Sequence, residues 1–257
     1  MDSEFKQKIS HAIQLIKDSN YITVLSGAGL STPSGIPDFR SKKTGQWEFV
    51  DPMKVASMSA FLHRPIDFFK WLQPLTEKIY NAKPNPAHQY LTALEEIGKI
   101  KAIVTQNIDF LHQKAGSKNV IEVHGSISHL ECTICNTKKA YDENEINQFI
   151  DNFSIPTCEK CNRYLKPSIV LFEEMLPYQA WNLATNHFEK ADLVIVIGSS
   201  LEVSPANQLP SIATANGAKL IINTLSTTPL DYEADLILPY DVVKVWNTIG
   251  EKLGLQI

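Results

Sequence analysis

Tyr21-Ile22-Thr23-Val24-Leu25-Ser26-Gly27-Ala28-Gly29 runs a short β-rich segment straight into a pair of glycines. Before it, Ile9, Ala12, Ile13 and Ile16 recur at helical spacing, so the opening reads helix, strand, glycine turn. The same unit recurs along the chain. Residues 100–104 form a short apolar run after a helical stretch at 86–97, and residues 193–197 do so after the segment 181–188. Residues 219–223 follow a helical stretch at 208–216, and 242–253 can close the chain as a helix. Strands that alternate with helices predict a parallel sheet covered on both faces, a doubly wound, Rossmann-like α/β fold.

Two stretches interrupt the alternation. Residues 41–85 hold four prolines and the aromatics Phe61, Phe68, Phe69 and Trp71 without a strand pattern, which predicts a helical insert. Residues 128–165 hold all four cysteines. The expected organisation is therefore a nucleotide-binding part made of 1–40, 86–127 and 166–257. The inserts 41–85 and 128–165 form a smaller part, and both are expected to pack against the main sheet.

Composition narrows the function classes. The chain has 257 residues, 44% of them hydrophobic and 20% charged, in the range of an ordinary folded protein. Its net charge of −4 and the absence of a long basic run argue against direct nucleic-acid binding. No apolar run reaches the roughly 20 residues of a membrane span. Met1-Asp2-Ser3-Glu4 is acidic and unlike a secretion signal, so a cytoplasmic location is expected. The oligomeric state is left open.

The chemistry-bearing residues cluster at strand ends. Gly27-Ala28-Gly29-Leu30-Ser31-Thr32 offers unhindered N–H groups where a helix N-terminus would favour a pyrophosphate, although Thr32 stands where the dehydrogenase fingerprint has its third glycine. Gly35-Ile36-Pro37-Asp38-Phe39-Arg40-Ser41 follows, and Arg40 is one of only three arginines, which suggests a site needing a planar, fixed cation. Thr105-Gln106-Asn107-Ile108-Asp109 puts amides and a carboxylate at the carboxyl end of a strand, where such sheets bind ligands. His124, beside Gly125 at the tip of the run 120–123, has a side chain able to take a proton near neutral pH.

Cys132-Thr-Ile-Cys135 and Cys158-Glu-Lys-Cys161 are two knuckles separated by 22 residues. Four thiolates so spaced suit a closed tetrahedral zinc site of structural type, with two disulfides as the alternative. His129 is a possible substitute ligand.

As a set, these motifs resemble the sirtuins, NAD-dependent protein deacylases, in their single-core prokaryotic form. The resemblance rests on Gly27-Ala28-Gly29-Leu30-Ser31, the run from Gly35 to Ser41, Thr105 to Asp109, His124-Gly125 and both CxxC pairs. It extends through Lys166-Pro167-Ser168-Ile169-Val170-Leu171-Phe172, Gly198-Ser199-Ser200-Leu201 and Asn223, in the family's order over nearly the whole chain.

The resemblance implies NAD as co-substrate and one structural zinc. His124 would be the general base and Asn107 its catalytic companion. Gly27, Ala28, Gly29, Thr32, Asp38, Phe39 and Arg40 would hold the cofactor's phosphates, ribose and nicotinamide end. Gln106, Ile108 and Asp109 would meet the ribose and carboxamide. Ser199 and Ser200, beside Gly198, would meet the phosphates and ribose, Asn223 the adenosine ribose, and Asp241 and Val242 would flank the adenine. The acyl-lysine peptide would add as a strand between Ile169, Val170 and Phe172 on one side and Leu201 and Val203 on the other. Its acyl oxygen would attack ribose C1′ as nicotinamide leaves, giving free lysine and O-acyl-ADP-ribose. Uncharged acyl groups are expected to be preferred over succinyl, in a channel of Phe61, Phe69, Leu72 and Leu75, with Lys70 and Arg64 the cations nearest in sequence. Two departures from the family stand out: Glu173 follows Phe172 where the family usually has Gly, and Ser199 replaces a more frequent Thr. The competing readings are an NAD hydrolase or ADP-ribosyl transferase indifferent to acyl-lysine, and a non-catalytic NAD-sensing or zinc interaction module.

Overall fold

The computed structural model describes residues 3–39 and 45–257. Its frame is a six-stranded parallel sheet in the order β3-β2-β1-β7-β8-β9. The strands are β1 (Ile22–Ser26), β2 (Ile100–Thr105), β3 (Val120–Glu122), β7 (Leu193–Ile197), β8 (Lys219–Asn223) and β9 (Leu236–Ile237). Their side chains alternate between two cores, as a pleat buried on both faces requires. Val24, Ile195 and Ile221 face one core with α1 (Ser3–Asp18), α5 (Pro86–Glu96) and α10 (Val242–Leu253). Leu25, Val196 and Ile222 face the other with α8 (Tyr178–Lys190) and α9 (Leu209–Ala215). The chain winds outward one way through β2 and β3, then returns to place β7 on the far side of β1. That reversal opens a crevice at the carboxyl ends of β1 and β7.

The two inserts emerge at this end and meet each other. The first contributes α2 (Pro52–Val55), α3 (Met58–His63) and α4 (Pro65–Asn81). The second contributes β4 (Gly125–Glu131), β5 (Lys138–Ala140) and α7 (Glu143–Asn152), with β6 (Lys166–Ile169) completing an antiparallel sheet in the order β5-β4-β6. They share a third core, in which Phe69 of α4 lies edge-on to Phe149 of α7 at 5.8 Å and to Tyr164 at 5.8 Å. The inserts thus pack on each other, and the same core takes in Ile36 and Leu111 of the nucleotide-binding part. Neither has enough apolar surface alone, and each supplies the other's buried face. Residues 125–127 and 166–169, expected in the nucleotide-binding part, are strands of the small sheet. Among the described residues no helix is long and apolar enough to cross a membrane.

Candidate active site

The glycine loop leaves β1 as two 3-10 turns, Ala28–Leu30 and Thr32–Ser34, and not as the α-helix N-terminus the sequence suggested. The glycines serve a close approach. Gly29 N–H donates to Gly198 O at 2.8 Å, and a Cβ on Gly29 would lie 2.9 Å from that oxygen. Gly198 itself has φ +63, and a Cβ there would fall 2.1 Å from Leu30 N. Backbone contact between the loops after β1 and β7 therefore closes the floor of the crevice. Ser199 joins it to the next loop: its hydroxyl accepts from Gln106 Nε2 at 2.9 Å and from Leu201 N–H at 3.2 Å.

Residues 106–109 leave β2 over a buried polar chain. Ser26 Oγ donates to Thr105 Oγ1 at 2.8 Å, and Thr105 Oγ1 accepts Asn107 N–H at 3.0 Å. The Asn107 amide donates to Gly27 O and to Ser31 Oγ, both at 3.1 Å, and Ser31 Oγ donates to Asp109 Oδ2 at 2.6 Å. Asp109 is 4% exposed, and burial pushes its carboxyl up against the pull of the Ser31 hydroxyl and Leu111 amide bonds. These groups form the polar end of a small pocket whose apolar wall includes Ala28, Ile36, Pro37, Phe39, Leu75 and Ile79. That end offers an amide, a hydroxyl and a carboxylate beside an apolar wall.

A larger cavity of about 590 Å³ adjoins it, with Phe39 and Ile108 common to both. His124 lines it, and His124 Nδ1 lies 2.9 Å from Gln106 O. A carbonyl can only accept, so Nδ1 carries the proton and the neutral ring's lone pair is on Nε2. Around His124 stand Phe39, Trp47, Trp71 and Phe172, with Trp47 stacked on Phe39 at 5.1 Å and on Trp71 at 5.9 Å. Gln106, Ile169, Val170 and Val203 complete this side. Phe61, Phe69 and Leu72, expected to form the acyl channel, instead lie packed in the third core, and Leu75 lines the small pocket. The α4 side chain that reaches the large cavity is Trp71, one helical position away from the apolar stripe that packs inward. Sequence reading missed Trp47 and the role of Trp71. The signal was rarity, since three of the chain's four tryptophans, Trp47, Trp71 and Trp181, line this one cavity.

The peptide-facing segment also differs from expectation. No strand covers 170–172, and their N–H groups are engaged: Val170 with His124 O at 2.8 Å, Leu171 with a Glu174 carboxylate oxygen at 2.9 Å, and Phe172 with Ala56 O at 3.0 Å. The helical insert already occupies the edge next to Phe172. Buried Lys166 anchors the turn by donating to Ile169 O and Glu174, with Glu131 at 3.2 Å. Across the cavity Leu201 is buried at φ +56.

Other expected contacts spread further. Thr32 is exposed and its hydroxyl donates to Gly29 O, while Asp38 and Phe39 lie beside Gln46 and Trp47 through main-chain bonds. Ser200 is half-buried at the crevice floor. Arg40 and Ser41 lie outside the described residues. Asn223, at the end of β8, donates to Leu238 O and Tyr240 O. Its buried Oδ1 has no hydrogen-bond partner among the described residues. An acceptor so placed at a strand end suits a ribose hydroxyl. The Asp241 carboxylate caps α10 through Lys244 N–H, and the Val242 side chain is in the core.

The thiol sulfurs of Cys132, Cys135, Cys158 and Cys161 lie within 4.8 Å of one another, unbridged, with Cys135 and Cys158 at 3.6 Å. Zn–S bonds of about 2.3 Å arranged tetrahedrally put sulfurs about 3.8 Å apart, so the four fit one zinc. His129 is exposed on β4 with Nδ1 on Ser128 and stays outside the cluster.

The Sir2 family model matches residues 27–205. An NAD-dependent protein deacetylase of Caldanaerobacter subterraneus is 42% identical over 97% of this chain and 98% of its own. An NAD-dependent protein deacylase of Archaeoglobus fulgidus is 40% identical over 96% and 94%. A solved Sir2 structure with a deacetylated p53 peptide and 3′-O-acetyl ADP-ribose superposes with a TM-score of 0.90 at 40% identity, over 97% of this chain and all of that one. A family model matched over most of the chain, with relatives at about 40% identity along nearly its whole length, means that this protein belongs to the Sir2 family.

Proposed function

We propose that this protein removes acetyl and other uncharged acyl groups from protein lysine side chains, consuming NAD and giving nicotinamide and O-acyl-ADP-ribose. The observation that carries the reading is His124, held by Gln106 O in the aromatic cavity that shares Phe39 and Ile108 with the carboxylate pocket. Bound NAD supplies an electrophilic ribose carbon and nicotinamide as leaving group. Asp109, Asn107 and Ser31 form a linked polar end that would orient the carboxamide. The apolar wall from Ala28 to Ile79 would exclude water from it. His124 Nε2 would take the proton of a ribose hydroxyl, its tautomer set by the carbonyl behind it. Phe39, Trp47, Trp71 and Phe172 would enclose the lysine stem and acyl chain. The peptide would pass between the 169–172 segment and 201–203, taking main-chain bonds beyond those the helical insert already uses. The four-thiolate zinc site would be structural and suits a reducing compartment, the cytoplasm. No nucleic acid enters the reaction.

A product assay tests this. Acetylated peptide with NAD should give O-acetyl-ADP-ribose in step with nicotinamide. Free ADP-ribose formed equally well without acetyl-lysine would mean an NAD hydrolase.

A further inference from the structure

Glu173 follows Phe172 on the segment that lines the large cavity, and its backbone stands at φ +76. That left-handed conformation suits glycine and strains a residue with a Cβ. Its carboxylate reaches across 114 residues of sequence to accept Ser59 N–H at 2.8 Å. Ser59 is in the first turn of α3, whose N–H groups have no partner within the helix. The hydrogen bonds from Ser59 hold the Glu173 carboxyl below its usual range, with a smaller pull from His63. The bond also extends a ladder. Phe172 N–H donates to Ala56 O and Met58 N–H donates to Phe172 O, both at 3.0 Å, and the next N–H, that of Ser59, goes to the Glu173 side chain.

We propose that Glu173 is a positioning residue for the peptide substrate: its carboxylate clips the cavity-lining segment to α3 and holds Phe172 in its peptide-ready place, offsetting the left-handed backbone. The inference rests on the deacylase reading. It predicts an order among variants that neither charge nor bulk alone would give. Glu173→Ala loses the clip and keeps the strain, so the segment relaxes away. Glu173→Gly loses the clip without strain and keeps much of the geometry. Glu173→Gln retains an acceptor for Ser59 and rescues.

The test measures acetylated-peptide affinity by fluorescence polarisation, steady-state kinetics, and hydrogen exchange of the Ser59 amide by NMR. Peptide Kd and KM should rise about three- to tenfold for Ala, less for Gly and least for Gln. NAD KM and kcat should change much less, and Ser59 exchange should quicken in Ala and Gly. Wild-type Ser59 exchange and peptide affinity in the Ala variant overturn the clip while leaving the deacylase reading intact. A wild-type protein that binds no acylated peptide overturns both.

Discussion

Acidification should destabilise this protein through two histidines that lie under the site and take no part in the proposed chemistry. His88 on α5 is fully buried, accepts Asn85 N–H on Nδ1 at 3.4 Å, and has a buried Nε2 without a partner among the described residues. Its ring meets that of His112 at 5.0 Å, and His112 Nε2 lies 2.9 Å from Ser26 Oγ at the root of the polar chain beneath Asn107. Burial drives the His88 pKa down from 6.5 to about 4, and burial together with the His88 charge drives His112 well below 6.5. Both are therefore neutral in the native state and more basic in the unfolded chain. Their stabilisation is whole above pH 6.5 and is lost as pH falls from there toward 4, because the unfolded state binds the extra protons. For His88 alone the loss by pH 5 is about 2 kcal/mol, at about 1.4 kcal/mol per pH unit, and His112 adds to it with the same sign. His88→Gln keeps an acceptor at the third helical position of the cap and cannot titrate. Urea unfolding at pH 7.5 and pH 5.0, with zinc in both buffers, should show wild type losing about 2 kcal/mol more than the variant. Equal losses would refute the reasoning, since all other titrating groups are common to both proteins.

His124→Ala should lower deacylation about a hundredfold or more while NAD still binds, as read by kcat and by calorimetry with NAD. Near-normal turnover would remove His124 as the base. One zinc per chain should be found by metal analysis, and Cys132→Ser should lose it together with thermal stability, because a closed thiolate site contributes folding free energy. Acetyl and butyryl peptides should exceed the succinyl version of the same peptide in kcat/KM by tenfold or more. No Lys or Arg among the described residues lines the large cavity, Arg64 donates to Lys54 O, and an unpaired buried carboxylate costs several kcal/mol. Succinyl ranking first would overturn this.

The strands β1, β2, β7 and β8 and helix α10 were legible almost to the residue. A sheet covered on both faces needs continuous Val/Ile runs, and the closing helix shows a clear apolar stripe. The small sheet was not legible, since Gly125-Ser-Ile-Ser-His-Leu-Glu131 and Lys166-Pro-Ser-Ile169 are polar or proline-bearing and become strands only through pairing with each other. Helix α7 does carry an apolar stripe, with Phe149 buried and Ile146 and Phe153 packed on the same core, but it sits within the polar, cysteine-bearing insert. In the site, the motifs after β1, β2, β7 and β8 do lie at the carboxyl ends of these strands, because each follows directly on a legible apolar run. The acyl-channel residues were misplaced because helix α4 is apolar on more than one face. Only tertiary packing tells Trp71, on the cavity, from Leu72, in the core. The Glu173–Ser59 bond has no local signature at all.

His124 is joined to both sheets at once, and on the deacylase reading this would link the zinc site to catalysis. Its ring is fixed to the large sheet's switch loop through Gln106 O, while its own carbonyl accepts Val170 N–H from the segment after β6. The next residue, Gly125, opens β4 opposite Ile169 at φ +72, where a Cβ would lie 2.0 Å from Ser168 O, so the crossing admits no side chain. The far end of β4 runs directly into Cys132, and Glu131 there pairs with Lys166, whose ammonium also holds the peptide-facing turn through Glu174. A metal at the four sulfurs would thus fix one end of a strand whose other end adjoins the proposed base. Loosening that strand would disturb the 2.9 Å bond from His124 Nδ1 to Gln106 O, which sets the tautomer that leaves Nε2 basic. On the deacylase reading the zinc module would therefore act on the reaction through the placement of one imidazole, although no cysteine lines the cavity.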